Sequence, residues 1–179
     1  MSVLATGSST TTSTAPTSVP GIGKVILTES AAILIYLAEK AGKLLPKDSP
    51  RRGKVFEQLF FNTSCLGPAF KQAHLAAIHA RSQPARQVEA LWQVRRVLEV
   101  LDHCLQNRPY VAGDVYSIAD IAHFSWIWRH QTAGVSLDDF PCVASWYYEI
   151  SARPAVVNAI SRTMALACWG STRALAFQV

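Results

Sequence analysis

The segment SIADIAHFSWIWRH, residues 117–130, is apolar on nearly every side of a helix, and this feature constrains the fold more than any other. A helix with one polar face can lie on a surface, but a helix that is apolar all round has to be surrounded by other elements. The segment opens with Ser117 and Asp120 at the spacing of an N-terminal capping box. We therefore predict a helix that begins after this serine in the centre of a bundle, with both residues in a structural role.

The neighbouring segments predict the other helices of that bundle. Between Gly53 and about Arg162, every strong hydrophobic periodicity has the helical repeat. A long apolar stretch is broken or bent at Gly67-Pro68, because proline cannot donate a hydrogen bond to the preceding turn. The next helix, over residues 84–107, carries an apolar stripe that consists of Val88, Leu91, Trp92, Val94, Leu98, Leu101 and Leu105. The fold class predicted from this order is mainly α, an all-α bundle.

A single short strand and a helix precede the bundle. Residues 24–27 (KVIL) have the β-branched character of a strand, and residues 30–41 have helical periodicity that ends at Gly42. One strand cannot form a sheet by itself, so we expect it to be disordered, to pair with the preceding tail or to pair with another chain. The tail, residues 1–23, is rich in Ser and Thr, and we predict that it is disordered.

Composition argues against several classes of function. The net charge of +5 comes from basic residues spread along the chain, so no nucleic-acid-binding arm is predicted. The four cysteines lie far apart, and no histidine pair has the spacing of metal ligands, so we expect neither a metal site nor a disulfide framework. No apolar run is long enough to cross a bilayer, and the first twenty residues lack the features of a secretory signal. We expect a soluble, cytoplasmic protein without a nucleic-acid or membrane partner.

Four segments, in the family's order, resemble the glutathione transferases, especially the Nu-class type that reduces glutathione-linked disulfides. Three resemble the carboxyl-terminal helical domain, and the fourth resembles the last strand and third helix of the thioredoxin-like amino-terminal domain. They are RPYVAGDVYSIADIAHFSWIWRH, GVSLDDFPCVASWYYEISARPAVVNAI, LGPAFKQAHL and LTESAAILIYLAEK. The resemblance implies a remnant of the thioredoxin-like domain over 24–45, the glutathione transferase helical domain over 50–163 and a carboxyl-terminal extension over 164–179. Homodimers are usual in the family.

The resemblance implies that Glu29 and Ser30 bind the γ-glutamyl end of glutathione. In the family, the acidic residue meets the ammonium group, and the serine hydroxyl and N–H meet the carboxylate. A helix N-terminus also offers free N–H donors and partial positive charge, which suit an α-amino acid head group beside a carboxylate. The alternative is that Thr28 or Ser30 caps the helix while Glu29 compensates its dipole.

Two residues near the Gly67-Pro68 bend are candidates for the substrate pocket. Phe61 would line the pocket for an apolar substrate. Cys65 lies on the helix that borders the pocket in the family, where its thiol could form a mixed disulfide with glutathione; the alternative is a buried, inert cysteine.

No catalytic residue is assigned. In the family, the start of the thioredoxin-like domain supplies the side chain that lowers the pKa of the bound thiol, and residues 1–23 do not resemble it. Val19-Pro20 resembles the family's cis-proline pair, but Pro20 stands closer to Glu29 than the intervening strand and turn require.

Three hypotheses remain open at this point. The first is a glutathione transferase that conjugates glutathione to a small electrophile or reduces a disulfide, with activity impaired by truncation. The second is a non-catalytic helical domain that serves as a protein-interaction module. The third is a truncated gene product whose true start lies upstream.

Overall fold

The structure is a computed structural model that describes residues 17–18, 26–80 and 82–175, with side chains described over 26–80 and 82–165. Helices dominate these residues, which confirms the predicted mainly α fold class. A π-helical turn spans Asn62–Leu66, and a 3₁₀ turn spans His130–Ala133. The other elements are β1 (Thr17–Ser18), β2 (Ile26–Leu27), α1 (Ser30–Ala41), α2 (Ser49–Phe61), α3 (Gly67–Ile78), α4 (Pro84–Leu105), α5 (Ile118–Ile127), α6 (Pro141–Ser151) and α7 (Pro154–Leu175).

The strand β2 pairs with the tail that precedes it. Thr17 stands opposite Leu27 and Ser18 opposite Ile26 in an antiparallel register. This is one of the three outcomes that the sequence leaves open for the strand. Thr17 and Ser18 belong to the segment predicted to be disordered, so the structure differs from that prediction at these two residues. The rest of residues 1–23, including Pro20, lies outside the described residues.

The bend between α2 and α3 is a π-helical turn. The backbone N–H of Gly67 donates to the carbonyl of Asn62, five residues earlier, instead of four. Pro68 then stands in the first turn of α3, where its missing N–H is tolerated. The predicted break is therefore present, but its cause is an extra residue in the turn just before the Gly-Pro pair, and the helix continues through it in a new register.

The apolar stripe of α4 is narrower than the sequence predicts. Val88 and Trp92 are 69% and 51% exposed, although the periodicity places them on the buried face. The reason is that α4 packs against α3 and α6, which cover only one narrow row of its side chains. The guanidinium of Arg96 lies over the Trp92 ring, 4.9 Å from its centroid. The buried residues of α4 are Ala90, Val94, Leu98, Leu101 and Leu105.

Helix α5 lies at the centre, in contact with α1, α2, α3 and α6. Its capping box is present: the backbone N–H of Ser117 donates to Asp120 Oδ2 at 2.9 Å. The serine Oγ accepts from the N–H of Ala119 at 3.2 Å and completes the capping box with the N–H of Asp120. The other oxygen, Asp120 Oδ1, accepts from the N–H of Val111 and from Trp146 Nε1, each at 3.0 Å. The carboxylate thus joins the loop before α5 and helix α6 to the start of the central helix.

Candidate functional site

Helix α1 begins without a side-chain cap. Glu29 is the N-cap residue, with extended backbone angles, and its carboxylate makes no capping hydrogen bond. Its backbone oxygen accepts from the N–H of Ile33 at 3.0 Å, which starts the helix. Glu29 and Ser30 are both exposed. Within the described residues, no side chain at this end occupies the first-turn N–H donors, so a cap from Thr28 or Ser30 is absent. Compensation of the helix dipole by Glu29 is still compatible with this geometry.

Glu29 and Ser30 lie together on a cleft with a volume of about 480 Å³. The facing wall is built by the π turn and the first two turns of α3. Leu75 and the indole of Trp126, from α5, also line the cleft. The residues of the facing wall are Asn62, Thr63, Gly67, Pro68, Lys71 and Gln72.

The π turn decides which residues face this cleft. In α3, Gly67, Lys71 and Leu75 follow one another at four-residue spacing and lie along one face. The five-residue step of the π turn brings Asn62 into line with Gly67, whereas an uninterrupted α-helix would bring Thr63 there. The extra residue thus places a buried amide beside the cleft.

The charged and polar groups of the cleft come from separate elements. Glu29 contributes a carboxylate from the start of α1, and Lys71 contributes an ammonium group from α3. None of the ion pairs among the described residues involves Lys71. Asn62 is only 5% exposed, and its Nδ2 atom has no hydrogen-bond partner within the described part of the chain. A buried donor without a partner costs about 1–3 kcal/mol.

Phe61 and Cys65 do not line this cleft. They lie in a second groove of about 840 Å³, between the α2–α3 segment and α4, and Phe61 also stacks on His123 with ring centroids 6.1 Å apart. Cys65 is exposed, with its Sγ atom 3.4 Å from Ser64 Oγ, so it is not buried as the alternative expects. The structure therefore places both residues in a groove separate from the Glu29–Ser30 cleft.

The sequence reasoning missed Asn62, Lys71 and Trp126 as cleft residues. Trp126 belongs to the segment predicted to be buried in the centre of the bundle, but its ring forms part of the cleft lining. The signal available for Asn62 was the polar run Asn62-Thr63-Ser64 directly after two phenylalanines. Nothing in the local sequence marks Lys71.

Among the described residues, no three His, Cys, Asp or Glu side chains lie close enough together to hold a metal ion. None of the helices in the same part of the chain combines the length and hydropathy that crossing a membrane requires.

Residues 65–154 match the family described as "Glutathione S-transferase, C-terminal domain". Among curated proteins, the chain is 37% identical over 138 residues to the disulfide-bond oxidoreductase YfcG of Escherichia coli (strain K12). That match covers 75% of this chain and 63% of the relative, so the chain spans less than two thirds of the relative's length.

Two solved structures are similar to this chain over the same share of its length. A glutathione transferase family member from Pseudomonas fluorescens, with two glutathione bound, matches with a TM-score of 0.69 and 35% identity, covering 75% of this chain and 63% of that one. A glutathione transferase from Pseudomonas putida, with one glutathione disulfide bound per subunit, matches with a TM-score of 0.67 and 33% identity. The second match covers 75% of this chain and 61% of the other.

Proposed function

Because this chain belongs to the glutathione S-transferase family, we propose that it binds glutathione through Glu29 and Ser30. The observation that carries the proposal is the uncapped start of α1, which presents both residues to a cleft. The cleft is large enough to hold part of a tripeptide, and its polar groups come from α1 and α3. The bound glutathione of the related structures supports the same ligand.

Each group at the start of α1 has a role in this proposal. The Glu29 carboxylate accepts hydrogen bonds from the α-ammonium group of the γ-glutamyl residue. The Ser30 hydroxyl and backbone N–H donate to the α-carboxylate, and the partial positive charge of the helix N-terminus stabilises that carboxylate. A zwitterionic head group satisfies both ends of the pair, whereas a simple anion would be repelled by Glu29.

The proposed activity is glutathione conjugation or glutathione-dependent disulfide reduction, with a small electrophile or a disulfide as second substrate. The disulfide-bond oxidoreductase name of the Escherichia coli relative and the glutathione disulfide of the Pseudomonas putida structure favour the disulfide. We do not assign a catalytic side chain among residues 26–80 and 82–165. We further propose that the chain forms a homodimer, acts in the cytoplasm and binds neither nucleic acid nor a membrane.

The test is a calorimetric titration of the chain with glutathione, repeated with Ser30→Ala. The variant should bind about tenfold more weakly or worse, since a hydrogen bond to a charged group contributes about 1.5–3 kcal/mol. Ser49→Ala is the matched control, because Ser49 is also the exposed first residue of a helix, α2, and does not line the cleft. Absence of saturable binding, or equal losses in both variants, would refute the proposal.

A turnover assay separates the enzyme from the non-catalytic interaction module. The chain is incubated with glutathione and either a chloronitrobenzene or a glutathione-linked disulfide. Turnover that is abolished by Ser30→Ala supports the enzyme, and glutathione binding without turnover supports the module.

A further inference from the structure

A second cleft lies at the other end of α1, between the α1–α2 connection (residues 42–48) and the loop before α5. Its volume is about 440 Å³, and Val115 and Tyr116 form the wall opposite the connection. The proposed glutathione-binding residues do not line it. The backbone N–H of Ile118, the first residue of α5, donates to the carbonyl of Leu44 at 3.0 Å. This hydrogen bond joins the two walls, so the cleft is formed before any partner binds.

Leu44 adopts an unusual backbone conformation at this cleft. Its φ is 65°, and among the described residues it is the only residue other than glycine with a positive φ. A bulky side chain rarely occupies the left-handed region, and such strain persists where the surrounding structure imposes it, often at binding sites. The leucine lines the cleft and remains exposed, so its own burial compensates only part of this strain.

The apolar surface of this cleft is exposed on both walls. Leu44 is 41% exposed on one wall, and Val115 is 56% exposed on the other. The guanidinium of Arg153 lies over the Tyr116 ring, 3.8 Å from its centroid, and supports that ring beside the cleft. Exposed apolar side chains within a concavity are typical of a binding site, because one side chain of a partner can bury them together.

The net charge of the chain is concentrated beside this cleft. Residues 40–54 contain six of the seventeen lysine and arginine residues and one acidic residue, Asp48. The rest of the chain holds eleven basic and eleven acidic residues, so this segment carries the whole formal charge of +5. Three of the six take part in ion pairs, which are Arg51 with Asp48, Arg52 with Glu39, and Lys54 with Glu57. The other three, which have no ion pair among the described residues, are Lys40, Lys43 and Lys47.

Lys43 and Lys47 both line the cleft, and both are exposed. Among the described residues, Asp48 is the only carboxylate that lines it, and this carboxylate already accepts from Arg51 Nε at 2.8 Å. Asp114 precedes Val115 in the chain but does not line the cleft. The rim is therefore positively charged, and it attracts a partner whose surface is acidic.

We propose that this cleft is a docking site for an acidic segment of another protein that carries an apolar side chain among its carboxylates. The apolar side chain packs between Leu44 and Val115, and the flanking carboxylates pair with Lys43 and Lys47. The concave apolar surface favours an inserted side chain over a membrane, which receives protruding apolar groups. It also disfavours nucleic acid, since phosphate contacts use basic and polar groups. This interaction goes beyond glutathione binding and does not depend on it.

The experiment probes the whole chain with two arrays of short peptides. The first array has Glu and Asp in both flanks and varied central residues, and the second has Gln and Asn in the same flanks. The wild type should select Leu, Ile, Met or an aromatic residue at the centre, and only between acidic flanks. A wild type that binds no peptide, or binds acidic peptides whatever their central residue, would overturn the proposal.

The charge of the rim is tested by fluorescence anisotropy with the peptide that binds best. The double variant Lys43→Gln/Lys47→Gln should bind it several-fold more weakly, and the difference from the wild type should shrink as salt is added. Arg86→Gln/Arg162→Gln is the matched control, because it removes the same charge from two exposed residues that do not line the cleft. Equal losses in the two double variants would mean that only net charge attracts the peptide and would overturn the proposal.

The apolar contact is tested with Leu44→Asn. Asparagine tolerates a positive φ, so the variant should fold, which urea unfolding checks, and it should bind the peptide several-fold more weakly. Val88→Asn is the control, since Val88 is an exposed apolar residue of α4 that does not line this cleft. Unchanged affinity of a folded Leu44→Asn would overturn the proposed insertion between Leu44 and Val115.

Competition distinguishes a protein partner from the other anionic macromolecules. The labelled peptide is displaced with unlabelled peptide, with vesicles of phosphatidylserine and phosphatidylcholine, or with a single-stranded oligonucleotide at equal concentrations of negative charge. Unlabelled peptide should displace it best. Stronger displacement by the vesicles or by the oligonucleotide would assign the cleft to a membrane surface or to nucleic acid and would overturn the proposal.

Discussion

Gly67 lies directly against the indole ring of Trp126. A Cβ atom at residue 67 would stand 3.1 Å from both Cε2 and Nε1 of that ring, and 3.1 Å from the carbonyl oxygen of Asn62. These separations are shorter than ordinary van der Waals contact, so only glycine allows the ring to approach α3 this closely. The contact joins α3 to α5 at the edge of the cleft, where Gly67 and Trp126 are both lining residues.

We expect Gly67→Ala to destabilise the protein by about 1–3 kcal/mol, because the added methyl group forces the Trp126 ring or the π turn to move. The backbone at Gly67 is helical, so no conformational strain complicates the result. Gly53→Ala is the control: Gly53 lies in α2 with open space around it, and alanine there should stabilise by about 0.5–1 kcal/mol. Urea unfolding of the two variants measures the difference, and equal stabilities would contradict the contact.

Asp120→Ala should lower the free energy of unfolding by about 3 kcal/mol or more, because it leaves buried donors unsatisfied. The carboxylate accepts from the N–H of Val111, the N–H and hydroxyl of Ser117, and Trp146 Nε1. Burial raises the pKa of Asp120, and these donors oppose that rise. The comparison is Asp48→Ala, which removes the partly exposed N-cap of α2 and should cost about 1 kcal/mol. The check is thermal or urea unfolding of both variants. Equal losses of unfolding free energy would rule out the buried hydrogen-bond network.

The stability of the protein should fall as the pH is lowered from about 6.5 to about 4, because of His123. Burial lowers the pKa of this histidine from 6.5 to about 4. Its Nδ1 atom is bonded to the Ala119 carbonyl at 2.8 Å, and its Nε2 atom has no partner within the described residues. In this window the unfolded chain binds a proton that the folded chain does not, so stability rises with pH by up to about 3 kcal/mol in total.

The check on His123 is urea unfolding of the wild type and His123→Phe at several pH values. The variant should lose this part of the pH dependence, while the exposed His103→Asn should keep it. Subtracting the variant from the wild type removes the contribution of carboxylates that titrate in the same window. If the difference in unfolding free energy between the wild type and His123→Phe does not change with pH, His123 is not held neutral in the folded protein.

Glu29→Gln separates ligand binding from compensation of the helix dipole. If Glu29 meets the ammonium group of glutathione, the variant should bind glutathione several-fold more weakly, by about 1 kcal/mol for an exposed pair, and the loss should shrink at high salt. Its effect on stability should stay within a few tenths of a kcal/mol. Glu57→Gln, an exposed carboxylate on α2, serves as the control. Lower stability with unchanged affinity would assign Glu29 to the helix dipole alone.

Several features of this fold could be predicted from the sequence because they depend on neighbours within one helical turn. The capping box of Ser117 and Asp120 is such a feature, and so is the position of Glu29 and Ser30 at the start of α1. A hydrogen bond across three residues is determined by local backbone angles and residue type. The apolar character of residues 117–130 was likewise sufficient to place α5 in the centre of the bundle, because a helix without a polar face has to be surrounded by other elements.

The tertiary structure alone decided which side chains meet in the cleft. The sequence predicted a break at Gly67-Pro68, but it did not predict the five-residue turn that brings Asn62 to the cleft and leaves Phe61 and Cys65 in another groove. The hydrogen-bond donors that Asp120 gains outside the capping box, such as Trp146 Nε1, likewise belong to residues distant in the chain. Local spacing determines whether a segment is helical, whereas the face that a helix presents depends on its register and on the neighbours that bury it.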